Sequence, residues 1–344
     1  MRYPIYPQYQ ESRPEERGLL DSWLAARGDV DMYVIRDRNT YDHMWSTWCA
    51  YLQSGRNGLQ SQAIRWFDVT PEILAGFLNN GPVNRKVRTE STRSATTKYR
   101  YWRLLERIYN FAAMKGWMSS NPVDAMATGD IPKSEKQQGS VLDPLVWKAA
   151  KLLLLTPEKY DAVAVRNRAI LQLLFALGLA PFEVRGMQLS SLVYEGEGGK
   201  GRRISAVQIG GPGTLRPRRF PLGAFEAELV TDWLKVRPLI ATEASGELLF
   251  CTPRGGMSPV SLFLLVQGFL KEASAAAGCP PPIQTGPQII RNSVLVRLLN
   301  DAKYPACRVV KFAGLKDVKG LLHLKDHCNS AALLSIRRAG EGSD

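Results

Sequence analysis

Pro287-Gln288-Ile289-Ile290-Arg291-Asn292-Ser293 is the stretch that decides the fold of this 344-residue chain. It opens a helix that we predict over residues 289–300, and Arg291 is its most informative residue. A guanidinium group can hold phosphate oxygens through two parallel hydrogen bonds. Arg291 is therefore expected either to bind a phosphate or to form a structural ion pair, for which Glu183 is the candidate partner. The sequence leaves both readings open.

The charge balance points to a polyanionic partner. Lys and Arg number 45 against 32 Asp and Glu, which gives a formal net charge of +13 and a pI near 9.6. A positive field attracts nucleic acid. Solubility alone is the less favoured explanation for the excess of positive charge. The length suits two domains of ~150 residues each.

Cysteine and histidine usage argues against metal or disulfide chemistry. The five cysteines are scattered and odd in number, which indicates reduced thiols in a cytoplasmic setting. His323, His327 and Cys328 are close in sequence but lack a second ligand pair, so we expect no metal and no cofactor. No export segment and no membrane span of ~18 apolar residues is expected.

The first half has helical periodicity. Apolar side chains recur at intervals of three and four from a start at Asn39 or Thr40, and a second helix runs from Pro71 to the Asn79-Asn80-Gly81 stop. A third helix, from a Ser91 or Thr92 cap to Lys115, has one buried face and one basic face. Because a row of cations can follow a phosphate backbone, its candidate DNA-binding residues are Arg93, Thr96, Thr97, Lys98, Arg100, Arg103 and Arg107.

The second half follows a linker predicted over residues 128–140, so the expected domains are 1–127 and 141–344. Apolar helices are predicted over 145–155 and 162–177, and later ones over 225–236, 260–275, 289–300, 307–312 and 331–338. Two short strands, 204–209 and 218–222, form a hairpin around the turn at 210–213. No acidic residue occurs between Gly198 and Phe225, and the hairpin's candidate DNA-binding residues are Lys200, Arg202, Arg203, Arg216, Arg218 and Arg219.

The order of several short strings resembles the tyrosine recombinase, or phage integrase, family over residues 15–338. The strings of the first half are Thr40-Tyr41, Thr70-Pro71, Ser91-Thr92, Gly116-Trp117 and Asn121-Pro122-Val123. Those of the second half are Arg166-Asn167-Arg168, Leu177-Gly178-Leu179, Glu183-Val184, Arg219-Phe220-Pro221-Leu222 and Arg291 with Leu298-Leu299. The resemblance implies a mainly α protein with a small β-hairpin or sheet, an α+β class. A helical, SAM-like core-binding domain and a tyrosine-recombinase-like domain would close as a C-shaped clamp.

The resemblance also implies a site in which a tyrosine attacks a phosphate held by two arginines, a lysine and two histidine-like residues. Arg291 matches the second arginine. The other positions fall on residues without the required groups: Ala180, Gly213, Gln288, Leu315 and, for the tyrosine, Leu324. His323 and Tyr304 are conceivable displaced nucleophiles. Since loss of an oxyanion donor and of the nucleophile removes the pathway, the expectation from sequence is a protein with no catalytic residues that is not an enzyme.

The expected function is specific binding of double-stranded DNA without strand cleavage, selecting or marking a target or attachment site for a mobile genetic element. Alternatives are an active recombinase with a displaced nucleophile and a transcriptional regulator or architectural scaffold. An active recombinase or transposase is a conceivable partner. Self-association on DNA is also conceivable, through the short apolar face from Ala331 to Ile336.

Overall fold

The computed structural model describes residues 13–28, 38–54, 63–80, 94–133, 138–156, 161–196, 203–210 and 216–341. The chain divides into two compact units, Met1–Lys136 and Gln137–Asp344. The assignment of the first to DNA binding and of the second to a recombinase-like role stays a prediction. Among the residues described, no helix has both the length and the apolar character needed to cross a membrane.

The first unit is helical in its described part. Its helices are α1 (Glu16–Gly28), α2 (Arg38–Gln53), α3 (Pro71–Asn80) and α4 (Ala95–Met114), with a 3-10 turn at Trp66–Asp68. Aromatic side chains fill the core: the Trp48 ring lies edge-on to Phe77 at 4.8 Å, and the Trp48 indole N–H donates to the Tyr109 hydroxyl at 3.0 Å. The first and second predicted helices are confirmed as α2 and α3, whereas α1 was not predicted.

Helix α4 confirms the third predicted helix but begins later than expected. Ser94 caps it by accepting a hydrogen bond from the Thr97 N–H, which satisfies one of the helix's unpaired donors. The predicted caps, Ser91 and Thr92, lie outside the described residues. The buried face carries Tyr101, Leu104, Leu105, Ile108, Tyr109 and Ala112.

The second unit packs helices around a small sheet. Its elements are α5 (Pro144–Leu155), α6 (Ala162–Leu177), α7 (Pro181–Arg185), β1 (Leu192–Glu195), β2 (Arg203–Ile209), β3 (Arg218–Pro221), α8 (Ala224–Val236), β4 (Cys251–Thr252), β5 (Gly255–Gly256), α9 (Pro259–Ala276), α10 (Pro287–Asn300), α11 (Ala306–Ala313), the 3-10 segment Val318–His327 and α12 (Ser330–Glu341). The predicted helices and the β2–β3 pair are confirmed, and the fold class is mainly α with small antiparallel sheets. Strand β1 and the β4–β5 pair were not predicted.

Two apolar clusters hold this unit together. The larger is centred on α6, α8 and α9, and includes the fully buried Leu173, Leu174, Val230, Trp233 and Val266. The three-stranded sheet has the order β1–β2–β3, all antiparallel, and Val207 opposite Phe220 anchors it on this cluster.

The second cluster joins the end of α10 to α11, the 3-10 segment and α12. Ala332 and Ile336, which belong to the face predicted for self-association, are buried in it. That face is therefore used inside the unit, and on α12 Leu333 and Leu334 remain 41% and 51% exposed. Self-association itself stays a prediction.

Candidate nucleic-acid interface

A buried carboxylate and two buried arginines form the polar centre of the second unit. The Arg218 guanidinium donates to both carboxylate oxygens of Glu183, at 2.8 and 2.9 Å. Arg291 lies near the same carboxylate, with Nη1 3.8 Å from Glu183 Oε2. The side chains of Arg218, Arg291 and Glu183 are only 10%, 7% and 4% exposed. We call these three residues the buried triad.

The start of α7 explains the position of Glu183. Pro181 opens this helix, and Glu183 Oε2 accepts the Ala180 backbone N–H at 2.7 Å, so the carboxylate turns back toward the preceding loop. Ala180, the position implied for a first arginine, is 8% exposed. Arg185, five residues further on, does not take that place, because its Nε donates to the Met257 carbonyl at 2.8 Å.

Backbone carbonyls accept further hydrogen bonds from both arginines. Arg291 donates to the carbonyls of Gly178 and Ala313 at 2.5 and 2.6 Å, and Arg218 Nε donates to the Phe312 carbonyl at 2.8 Å. Phe312 and Ala313 end α11, so both guanidinium groups lie at the negative end of this helix. Gly314 follows with φ +65°, and the Arg218 guanidinium fills the space that a side chain at Gly314 would need.

Burial lowers the pKa of Arg291 from 12.5 to about 10, the charge of Arg218 lowers it as well, and Glu183 opposes the shift. The guanidinium is therefore still protonated near pH 7. The sequence left open whether Arg291 binds a phosphate or forms an ion pair. The structure places it near Glu183 and among backbone carbonyls inside the unit.

A second polar group lies next to Arg291. Gln288 Nε2 donates to Asn292 Oδ1 at 2.9 Å, and His323 Nε2 lies 3.4 Å from the same oxygen. Burial lowers the pKa of His323 below its ordinary 6.5, as does the charge of Arg291, while a hydrogen bond with the Gly320 backbone opposes this. His323 is therefore a neutral imidazole at pH 7.

The other positions implied by the resemblance are apolar or not described. Leu324 is fully buried in the apolar cluster of α10–α12, and Leu315 packs beside Gly320. Gly213 lies outside the described residues. The last tyrosine in the sequence, Tyr304, is 37% exposed in the turn before α11.

The basic face of α4 lines a groove in the first unit. The groove has a volume of about 410 Å³ and lies between α2 and α4, lined by Thr40, Tyr41, Met44, Tyr99, Arg100, Arg103, Leu104 and Arg107. Arg103 donates to Glu106 Oε2 at 2.5 Å, and Lys98 donates to Asn79 Oδ1 at 3.2 Å. Among the described residues, Arg100 and Arg107 are engaged by no carboxylate.

The remaining predicted DNA-binding residues are divided between surface and interior. Arg203, Arg216 and Arg219 are exposed on the hairpin strands or next to them, whereas Arg218 and Arg291 belong to the buried triad. On α4, Thr97 is a partner of the Ser94 cap, and Thr96 is half-buried. Three residues lie outside the described ranges: Arg93, Lys200 and Arg202.

Sequence reasoning missed a cation beside the hairpin. Arg216 donates to the Lys316 carbonyl at 3.0 Å, so the exposed Lys316 lies next to the hairpin although 100 residues separate the two. No spacing in the sequence indicates this neighbourhood, because the contact depends on how α11 ends.

Comparison with known proteins identifies relatives of this chain. No protein-family model matches it. Tyrosine recombinase XerC of Haemophilus influenzae (strain PittEE) is 25% identical over 225 residues, which cover 65% of this chain and 68% of the relative. Tyrosine recombinase XerD of Shewanella oneidensis is 29% identical over 243 residues, or 70% of this chain and 72% of the relative.

Solved structures of recombinases share the fold. XerH site-specific recombinase bound to its difH substrate superposes with a TM-score of 0.59 at 18% identity, over 90% of this chain and 81% of that one. The Tn1549 transposon integrase in complex with a circular intermediate DNA superposes with a TM-score of 0.62 at 17% identity, over 95% of this chain and 99% of that one. The resemblance predicted from the sequence is thus confirmed, and this chain is related to the tyrosine recombinases and integrases.

These relatives correct one expectation. The prediction that this protein is not an enzyme is wrong, because the relatives are named as recombinases and integrases, which are enzymes. That prediction relied on individual residues that lack the required groups at the implied positions. Such replacements do not by themselves establish that a reaction is lost.

Proposed function

We propose that this protein binds double-stranded DNA at a specific site and acts in site-specific recombination, selecting the target or attachment site of a mobile genetic element. The proposal rests on one observation above all: a concave groove lined by three arginines on the exposed side of α4, in a chain related to recombinases. Arginine suits phosphate recognition, since its planar donors match two phosphate oxygens.

The geometry of α4 supports contact with a DNA backbone. Arg100 and Arg107 are two helical turns apart, about 10 Å along the axis, and both line the groove. Neither is neutralised by a carboxylate of the described residues. A duplex that docks there gains charge-assisted hydrogen bonds and releases condensed counterions.

The second unit offers its own cations for the same ligand. Arg203, Arg216 and Arg219 are exposed around the β2–β3 hairpin, and Lys316 lies beside Arg216. The buried triad fixes this hairpin, because Arg218 of β3 is tied to Glu183 of α7 and to the end of α11. The cations are thus carried on an anchored strand, which lowers the entropic cost of ordering them on DNA.

Charge reversal at the groove tests the proposal. The double variant Arg100→Glu/Arg107→Glu should bind duplex DNA at least about tenfold more weakly. The slope of log affinity against log salt concentration should become about two units shallower, because each phosphate contact contributes about 0.9 to that slope. Arg17→Glu is the matched control, since Arg17 is exposed on α1 of the same unit and lies outside the groove. Equal affinities of both variants and the unaltered protein would overturn the role of the groove.

A footprint on DNA flanking the protein's own gene tests the specificity. A protected segment, with weaker binding to unrelated duplex, is the expected result. Protection that spreads over all sequences indicates an architectural protein instead. Tight binding of an acidic polypeptide that excludes DNA would indicate a scaffold for another protein and would contradict the proposal.

A further inference from the structure

The segment Gln138–Ser140 crosses the polar group next to Arg291 within the second unit. The Gly139 N–H donates to the His323 carbonyl at 2.7 Å, and the Gly139 carbonyl lies 2.7 Å from His327 Nε2. Gln138 Nε2 donates to Asp326 Oδ2 at 2.7 Å. The Ser140 carbonyl accepts from Asn292 Nδ2 at 3.0 Å. Three consecutive residues thus make four hydrogen bonds to α10 and the 3-10 segment.

Gly139 can lie directly against His323, Leu324 and Asn292 because it has no side chain. A Cβ atom there would lie 2.5 Å from His323 Cδ2, 2.7 Å from Leu324 Cδ2 and 3.0 Å from Asn292 Nδ2. Real Cβ atoms do not approach other atoms this closely, so any larger residue would push the segment outward. The φ angle of Gly139 is not positive, and contact rather than backbone conformation therefore accounts for the glycine.

We propose that Gln138–Ser140 is a strap that closes over Asn292 and His323 and must lift before a DNA backbone reaches them. Leu324 and its neighbours are where the resemblance places the chemical step, and Gly139 lies directly against them. This proposal rests on the proposed function in one respect: the ligand that the strap excludes is DNA.

The bonds that hold the strap favour reversible opening. Gln138 with Asp326 is an exposed pair, and an exposed hydrogen bond contributes little net stability because water replaces it readily. The strap's remaining polar contacts are to backbone groups, His327 and Asn292. A protein whose binding-competent form is only partly populated binds its ligand more weakly by that fraction, so a closed strap lowers the apparent affinity for DNA.

Gly139→Ala tests the strap, with Gly129→Ala as the matched control. Gly129 is also a loop glycine, and no atom lies within 4 Å of a Cβ built there. In the full-length chain labelled at its three histidines, NMR titration should show the pKa of His323 rising in Gly139→Ala as burial is lost. His43, exposed on α2, is the internal reference. The same variant should bind duplex DNA about 3- to 30-fold more tightly, whereas Gly129→Ala should change neither property.

Gln138→Ala is the second variant, because it removes one exposed strap bond and leaves the packing of Gly139 in place. It should shift the His323 titration and the DNA affinity in the same directions by a smaller amount. An unchanged His323 titration in both strap variants would contradict the closed strap. A shifted titration with unchanged affinity would show that the strap does not gate DNA. If the unaltered chain and every variant fail to bind duplex, the proposed function falls together with the gating, while the titration still reports the strap.

Discussion

Arg218 places its guanidinium against both carboxylate oxygens of Glu183, at 2.8 and 2.9 Å, although 35 residues separate them. The contact ties strand β3 to the start of α7. Arg291 of α10 lies 3.8 Å from the same carboxylate. One buried carboxylate therefore balances two arginines from two other elements.

Glu183→Gln should destabilise the second unit by about 3–5 kcal/mol, because removing one partner of a buried ion pair leaves uncompensated buried charge. Chemical unfolding followed by circular dichroism measures this. Glu195→Gln is the control: its pair with Arg219 spans 3.5 Å between side chains that are 56% and 54% exposed, and should contribute less than about 1 kcal/mol. Equal losses in the two variants would mean that the triad does not stabilise the fold.

Gly314→Ala should lower the free energy of unfolding more than Gly278→Ala does. Both glycines have positive φ, +65° and +66°, so alanine in either place bears the left-handed strain of about 1–2 kcal/mol. Only at Gly314 does the new methyl group also meet the Arg218 guanidinium, and such overpacking adds about 1–3 kcal/mol. Thermal unfolding of both variants measures the difference, and a difference of zero would show that Arg218 does not fill that space.

His323 should make the protein less stable in acid. Because burial and Arg291 lower its pKa below 6.5, the folded chain binds the proton less tightly than the unfolded chain. Protonation then favours unfolding, and the free energy of unfolding falls as the pH drops below about 6.5. His323→Gln should show a shallower fall between pH 7 and 5 in urea titrations than the unaltered protein. Identical slopes in the two proteins would contradict the buried environment of His323.

Periodic apolar patterns allowed most of the helices to be predicted. Helices α2, α3, α6 and α10 have clear spacing or turn signals at their ends, and their predicted bounds agree with the structure within a few residues. The predicted cap of α4 was displaced because three nearby residues, Ser91, Thr92 and Ser94, can all accept the same type of hydrogen bond. Strand β1 was missed because a four-residue strand needs its β2 partner to form.

The candidate site was less predictable, because its contacts join residues far apart in the chain. The sequence named Glu183 as a partner of Arg291, and the two lie 3.8 Å apart. It did not predict that Arg218 would be the closer partner of Glu183, since the residue pattern of strand β3 does not reveal where that strand meets the end of α11. The strap also had no sequence signal, because Gly139 is one glycine in a stretch of turn formers.

The salt dependence of duplex DNA binding tests the central claim most directly. Fluorescence anisotropy with a labelled duplex from the protein's own locus, measured between about 50 and 300 mM salt, should give a log–log slope of about −4 to −6, as expected for five or six phosphate contacts. The slope should be about two units shallower for Arg100→Glu/Arg107→Glu and unchanged for Arg17→Glu. A flat slope, or no binding at 50 mM salt, would contradict the account.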